Sequence, residues 1–417
     1  LEQACDLRLG DARRPLLLSV RSGAPVSMPG MMETLLNIGL CDATVPGLIR
    51  LTGNPRLVWD AYRRLVVTYG EVVANLDPAL FEAEMKVIAS GRDERELDFA
   101  ELRSVTHACL ARYAQASGQT FPQDPRVQLS QAIGAVLCSW QSDKARTYRR
   151  VNQLSDVLGT AVTVQAMVFG NAGGLSGAGV GFTRDPATGM PQLWVDFLFN
   201  AQGEDVVSGR RSAHGHDEMA TVLPQAWRAL QDAAHLLEQH FGDMQDFEFT
   251  VQDGRLYMLQ TRSGKRTPQA AARIALDLME EGVITREMAL ERTAQLAVQD
   301  LMTRRVVAVN GQDLVPLAHA ATASSGVAIG EMALDEQRVR ARVAAGASVI
   351  LVRRDAETSD MAALASSVGL LTQRGARTSH AAVVARQLGK VCLVGCSELT
   401  LDEVARTVAI GGVPFHE

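Results

Sequence analysis

Between residues 246 and 262 acidic and apolar side chains alternate with the two-residue period of a β-strand, reach an Asp-Gly pair, and run back through a second such stretch. In Asp246-Phe247-Glu248-Phe249-Thr250-Val251 the carboxylates of Asp246 and Glu248 project to one side, while Phe247, Phe249 and Val251 project to the other, into a core. The register of the returning strand decides what joins them. A three-residue loop, Gln252-Asp253-Gly254 with Gly254 left-handed, sets Glu248 opposite Met258 and Asp246 opposite Gln260, and puts Tyr257 and Leu259 on the apolar face. A two-residue Asp-Gly turn slips the pairing and sends Gln260 and Arg262 to the core face instead. The apolar pattern favours the three-residue loop. Two carboxylates, an amide and a guanidinium then share one face, which suits magnesium held by hard oxygen ligands and an arginine neutralising a transferring phosphate. An amphipathic edge hairpin with a solvated acidic face has the same pattern.

A second feature bears on chemistry. Arg374-Gly375-Ala376-Arg377 leads directly into Thr378-Ser379-His380, and an apolar helix follows. Thr378 or Ser379 can cap the first turn; the free N–H groups and positive dipole end favour an anion, and the arginines add cationic donors. A neutral ring nitrogen at His380 is a nucleophile near neutral pH. A surface or capping histidine would look the same in isolation.

The chain of 417 residues is long enough for two to four domains. With 41 basic against 47 acidic residues and a net charge of −6 it has no sequence-wide basic footprint for nucleic acid, so no such partner is expected. Its six cysteines are scattered without a CxxC pair, and no signal-peptide pattern is present; reduced thiols in a cytoplasmic protein are expected. Cys392 and Cys396 lack partners for a zinc site and read as buried small residues. No apolar run approaches the roughly 18 residues of a membrane helix. The protein is expected to be soluble.

Residues 16–21 read as a strand, 22–30 as a flexible Gly/Pro loop opening a strand-to-helix turn before 31–40, and 46–154 as mostly helical. Strand character returns at 161–169, followed by a glycine-rich turn at 170–181. Thr267-Pro268 is a helix start, with Gly282 as its stop and a second start at Thr285, so 267–305 reads as a helical connector. Beyond it, strands such as 348–352 alternate with helical stretches, as in a compact β/α domain.

Read whole, GLLTQRGARTSHAAVVARQLGKVCLVG at 369–395 resembles the phosphohistidine domain of the phosphoenolpyruvate-utilising enzymes, most closely the pyruvate phosphate dikinase branch, where serine and not cysteine precedes the histidine. MQDFEFTVQDGRLYMLQTRSGKRT at 244–267 resembles the end of that family's ATP-grasp domain, and SVRSGAPVSMPGMMETLLNIGL at 19–40 its phosphate-loop segment. GTAVTVQAMVFGN at 159–171, GAGVGFTRDPATG at 177–189 and NAQGEDVVSG at 200–209, the last matching an acidic hinge strand, follow the family's order across nearly the whole chain.

The resemblance implies a multidomain α+β fold: an incomplete ATP-grasp-like nucleotide-binding domain at 1–266, with a helical subdomain at about 41–154, a helical linker at 267–305, and a swivelling β/β/α phosphohistidine domain at 306–417. It implies His380 as phosphate carrier, Arg21 and Arg262 as catalytic residues, Gly30, Gln165, Glu204, Asp205 and Gln260 as nucleotide-binding residues, and Glu248 and Asp246 as Mg²⁺ ligands. ATP and inorganic phosphate are the implied substrates; pyruvate and phosphoenolpyruvate enter through a barrel outside the matched segments, and a homodimer is implied as well. The family's upstream glycine-rich segment with its triphosphate-binding lysine, and the strand that closes the histidine domain, also lie outside this sequence. In plant members the threonine matching Thr378 is a regulatory phosphorylation site. Gly375-Ala376-Arg377 stands where the family has Gly-Gly-Met. If the swing operates, 267–304 is mainly helical, His380 need not face Glu248, and no large apolar interface fuses the two domains. A noncatalytic remnant or regulatory nucleotide-binding protein, and a phosphotransferase with another acceptor, are the competing expectations.

Overall fold

Leu16, Leu17, Leu18 and Val20, all buried, open the first of two compact units, Leu1–Val168 and Phe169–Glu417, in the computed structural model of the chain. The described residues are all but 25, 27, 29–30, 152–153, 155–158, 208–215, 303–305, 307–314, 357–359, 376 and 378, and the side chains of 151, 207, 216, 300, 380 and 387 also lie outside the description.

In the first unit β1 (Leu18–Gly23) is the centre of an antiparallel sheet, flanked by β2 (Thr34–Ile38) and β3 (Ala161–Ala166). The stretch read as following a strand-to-helix turn is thus the return strand of a hairpin. Leu35 and Ile38 are fully buried on it, Val20 pairs with Leu35, and Asn37 at φ 62° and Gly39 at φ 110° end it in left-handed backbone no helix holds. Residues read as helical form Val45–Thr52, Pro55–Val72, Ala79–Ala89, Phe99–Ser117, Pro125–Ser139 and Asp143–Val151. Their starts are chemically marked: Asn54 accepts from the Leu57 N–H ahead of Pro55, and Asp98 with Glu101 forms a capping box. Leu57, Val58, Ala61, Leu65 and Tyr69 make the buried stripe of the second of these helices.

The second unit begins with a four-stranded antiparallel sheet in the order β5 (Trp194–Phe199), β4 (Gly177–Phe182), β6 (Gln245–Gln252), β7 (Arg255–Ser263). The alternation Gly-Ala-Gly-Val-Gly-Phe in β4 has a steric cause. A Cβ at Gly179 would lie 2.4 Å from the Phe249 ring, and one at Gly181 2.8 Å from the Phe247 ring. Without them Phe197 and Phe249 stack at 5.8 Å over the central strand, and the helix Pro224–Phe241 covers them through Ala226, Leu230 and Ala234. Each buried phenylalanine contributes on the order of 1.5–3 kcal/mol.

The β6–β7 register departs from both sequence expectations. Asp253 and Gly254 both have positive φ, 51° and 78°, so the turn has two residues, and Gln252 pairs with Arg255. Leu256 and Met258, not Tyr257 and Leu259, therefore join the phenylalanines, because Val251 pairs with Leu256 and Phe249 with Met258. A bulge at Leu259 then restores the parity, and Glu248 pairs with Gln260 and Asp246 with Arg262. The expected polar face forms, by a different route. The short turn is held from outside: the Asp253 N–H donates to Ser176 Oγ and the Gly254 N–H to the Leu175 carbonyl.

Arg184, just past β4, is buried and donates to both Glu238 oxygens at 2.9 Å and to Glu281 at 2.6 Å, tying the helix Pro224–Phe241 to the helix Pro268–Glu280. Thr267 caps the latter, with Pro268 at its first position and Ile274 and Leu278 buried; Thr285 caps Arg286–Thr293.

The C-terminal sheet runs β8 (Ala321–Ser324), β12 (Val391–Val394), β11 (Gly369–Thr372), β10 (Val349–Arg353), β9 (Glu331–Ala333), parallel except for β8. A meander of β13 (Leu399–Asp402), β14 (Thr407–Ile410) and β15 (Val413–His416) packs against it through Leu399, Val408 and Val352. Cys392 and Cys396 are buried, and all six cysteines are free thiols; burial pushes Cys392 up to about 12. Among the described residues no helix is long and apolar enough to cross a membrane.

Candidate functional site

Antiparallel pairing aligns two rows of side chains on the face of the four-stranded sheet opposite the phenylalanines. Asp196, Val180, Glu248 and Gln260 form one row, and Trp194, Phe182, Asp246 and Arg262 the next. The Arg262 guanidinium lies 3.2 Å from Glu248 Oε1 and donates to Gln260 Oε1 at 2.9 Å, so these three expected site residues meet. Burial, reinforced by the Glu248 charge, pushes the Asp246 carboxyl up to about 6, against the pull of Arg262, Arg386 and Lys265. Lys265 itself is held below the usual lysine range, chiefly by burial and then by Arg266.

Glu204 and Asp205 sit on the short helix Gly203–Val207, not on the acidic strand expected of 200–209. Two acids in its first turn suit a helix N-terminus, and Asp205 accepts from the Gln202 N–H. Val206 of this helix packs with Ala178, Val180 and Leu198, which places it over the same sheet face as Glu248.

In the first unit Arg21 and Gln165 share a sheet face, because Ser19 pairs with Gln165 and Arg21 with Thr163. Gly30 lies outside the described residues.

His380 is the first residue of the helix His380–Gln387; Ser379 is its N-cap and accepts from the Ala382 N–H, whereas Thr378 and the His380 ring lie outside the description. The helix starts at the carboxyl end of β11, the edge of a parallel sheet where ligands ordinarily bind. Two arginines beside it reach the four-stranded sheet. Arg377 pairs with Asp196 at 3.1 Å and lies 4.3 Å over the Trp194 ring. Arg386, 1% exposed, lies over Phe182 and Trp194 and donates to the carbonyls of Ala323 and Arg377. Its burial lowers it to about 10, which leaves it charged at neutral pH.

Asp246 and Glu248 fit a magnesium ion that carries phosphate: this metal uses one or two carboxylates and fills its remaining positions with water and phosphate oxygens. Among the described residues no group of three or more His, Cys, Asp or Glu could hold a metal by itself.

Sequence reasoning missed Asp196, Trp194, Arg184, Lys265 and Arg386. Asp196 is carried in by pairing across β4, which no local pattern specifies. Arg386 did leave a signal, as the one charge in the apolar run 381–386.

Residues 2–218 and 215–282 match the family described as pyruvate phosphate dikinase, AMP/ATP-binding domain, and residues 346–413 match the PEP-utilising enzyme, mobile domain. Over the whole chain 42% of residues are identical to pyruvate, phosphate dikinase 2 of Zea mays, covering 48% of that protein. Pyruvate, phosphate dikinase of Clostridium symbiosum is also 42% identical over the whole chain, with 48% of it covered, and pyruvate, phosphate dikinase 1 of Arabidopsis thaliana 42%, with 44% covered. The chain thus spans about half the length of the curated relatives it matches. With well over half of its residues matched by the nucleotide-binding family and all of them aligned to these relatives, the chain belongs to the pyruvate phosphate dikinase family.

Proposed function

We propose that the chain carries the nucleotide half of a dikinase reaction, with His380 as the phosphoryl carrier. A neutral ring nitrogen of His380 attacks the β-phosphorus of ATP and the bond to the α-phosphate oxygen breaks, releasing AMP and leaving pyrophosphorylated histidine. An oxygen of inorganic phosphate then attacks the terminal phosphorus; pyrophosphate leaves and phosphohistidine remains. Where a pyruvate-binding domain is supplied, the oxygen of enolised pyruvate takes that phosphoryl group, giving phosphoenolpyruvate and free histidine.

The observation that carries this reading is the meeting of Glu248, Gln260 and Arg262 within 3.2 Å on the sheet face to which Arg377 and Arg386 reach from beside His380. Asp246 and Glu248 would hold magnesium, which when bound neutralises charge on the triphosphate. Arg262 supplies a fixed cation beside the transferring group, Gln260 orients Arg262, and the acids of Gly203–Val207 receive the nucleoside hydroxyls. Arg21 and Gln165 offer a cation and an amide for phosphate in the first unit.

The finer architecture belongs to the same reading: an ATP-grasp nucleotide domain to residue 266, a helical linker at 267–305 and a swivelling histidine domain beyond it. Cytoplasmic location, with the cysteines reduced, and a homodimer complete it.

The test is isotope exchange of labelled AMP into ATP. The chain should catalyse it with magnesium and without inorganic phosphate, His380→Ala should abolish it, and Arg262→Ala should slow it about 10²–10³-fold. Exchange that survives in His380→Ala, or is absent from the folded chain, contradicts the reading.

A further inference from the structure

We propose that Arg377 is a positioning residue that clasps the start of the histidine helix onto the nucleotide sheet, its guanidinium paired with Asp196 and stacked on Trp194; the inference rests on the transfer proposed above. Asp196 is 2% exposed in the sheet face, and a carboxylate buried that deeply requires cationic or hydrogen-bonding partners. Arg377 is one, at 3.1 Å, and its planar group lies 4.3 Å over the Trp194 ring, where stacking adds to the ion pair.

The clasp is braced from behind. Arg386 donates through Nη2 to the Arg377 carbonyl at 3.1 Å and through Nε to the Ala323 carbonyl at 3.0 Å, so the backbone at 377 is fixed to the core of the histidine domain. Arg386 also lies 5.4 Å from the Trp194 ring centre, and the one indole meets both arginines. Residue 377 precedes His380 by three positions, and Asp196 stands two strands from Glu248 in the same row, roughly 10 Å at ordinary strand spacing. Holding Arg377 on Asp196 therefore fixes the helix start within reach of the face that bears Glu248 and Arg262.

The two arginines differ in one physical respect. Arg386 is sealed in, whereas the Arg377 side chain keeps 30% of its surface exposed, so water can compete for the Arg377 pair and open it without unpacking the helix.

The experiment uses the full chain with Arg377→Met, Arg377→Lys, Asp196→Asn and the Arg377→Met/Asp196→Asn double variant. Two quantities are read: single-turnover labelling of His380 from ATP labelled in the β-phosphate, as a function of ATP concentration, and amide hydrogen exchange over 192–199 and 379–388. Arg377→Met should slow labelling about tenfold while the half-saturating ATP concentration stays within about twofold, and Arg377→Lys should recover part of the rate. The double variant should be about as slow as either single one, since both remove the same pair. Both peptides should exchange faster in Arg377→Met, whether or not transfer occurs. Unchanged labelling with unchanged exchange, or single effects that multiply in the double variant, overturns the clasp. Faster exchange at both peptides in a chain whose His380 never takes label upholds the clasp and sinks the transfer; label arriving equally fast in every variant does the reverse.

Discussion

Asp246 is a side chain that burial makes poor for stability and that the proposed metal site would make useful for binding. Its carboxyl is raised from 3.8 to about 6 by burial first and by Glu248 next. The folded chain therefore holds a proton that the unfolded chain releases between about pH 4 and 6, and stability contributed by this group falls as pH rises through that window. Above it the ionised group costs on the order of 1–3 kcal/mol. Under the proposed function, binding of Mg²⁺ and ATP should have the opposite slope, because the metal would take the ionised carboxylate. Calorimetric affinity should rise from pH 5 to about 7 and then level off, whereas Asp246→Asn should bind weakly and without that slope yet melt higher at neutral pH. An Asp246→Asn variant with the parent's pH slope would assign the slope to another group. At this scale the sequence was informative where chemistry alternates along one strand: Asp246, Glu248 and Gln260 are legible because Phe247, Phe249 and Leu259 stand beside them. Asp196 was not, because it joins them only through pairing between β5, β4 and β6.

Among the elements, the β6–β7 hairpin is the most instructive. Its polar face was legible and its register was not, since the Asp-Gly turn and the bulge at Leu259 each shift parity by one and together cancel. A pattern read from one end of the hairpin cannot see that second shift. The fixing contacts come from Leu175 and Ser176, some 77 residues upstream of Asp253. Local signals were sufficient for the starts at Thr267 and Thr285, where capping threonines lie beside the helices they begin. The return strand 34–38 departs from the expected helix because its pairing with β1, not its composition, makes it a strand. β4 is the element whose sequence is most narrowly set by packing. Gly179→Ala should cost about 1–3 kcal/mol in urea denaturation, because its methyl group meets the Phe249 ring and backbone strands on both sides leave it no escape. A midpoint equal to the parent's would mean that the ring moves freely aside.

For the whole molecule, the order of the two family segments, nucleotide-binding before mobile, was legible from the succession of short blocks, but contact within the second unit was not. The histidine helix meets the four-stranded sheet through Arg377, Arg386, Asp196 and the rings of Phe182 and Trp194, a seam of charges on aromatic faces rather than a large aliphatic one. Such a seam can separate more readily than an apolar core, as the proposed carrier role of His380 requires. The nucleotide face, the arginine seam and the helix start all bear on the phosphate proposed for His380. The most direct measurement is mass spectrometry, under conditions that preserve phosphoramidates, of the chain after incubation with Mg²⁺, inorganic phosphate and ATP labelled in the β-phosphate. The account predicts one labelled phosphoryl group on His380, with AMP and pyrophosphate formed in equal amount. Label on another residue, or none on a folded chain that binds ATP, would contradict it.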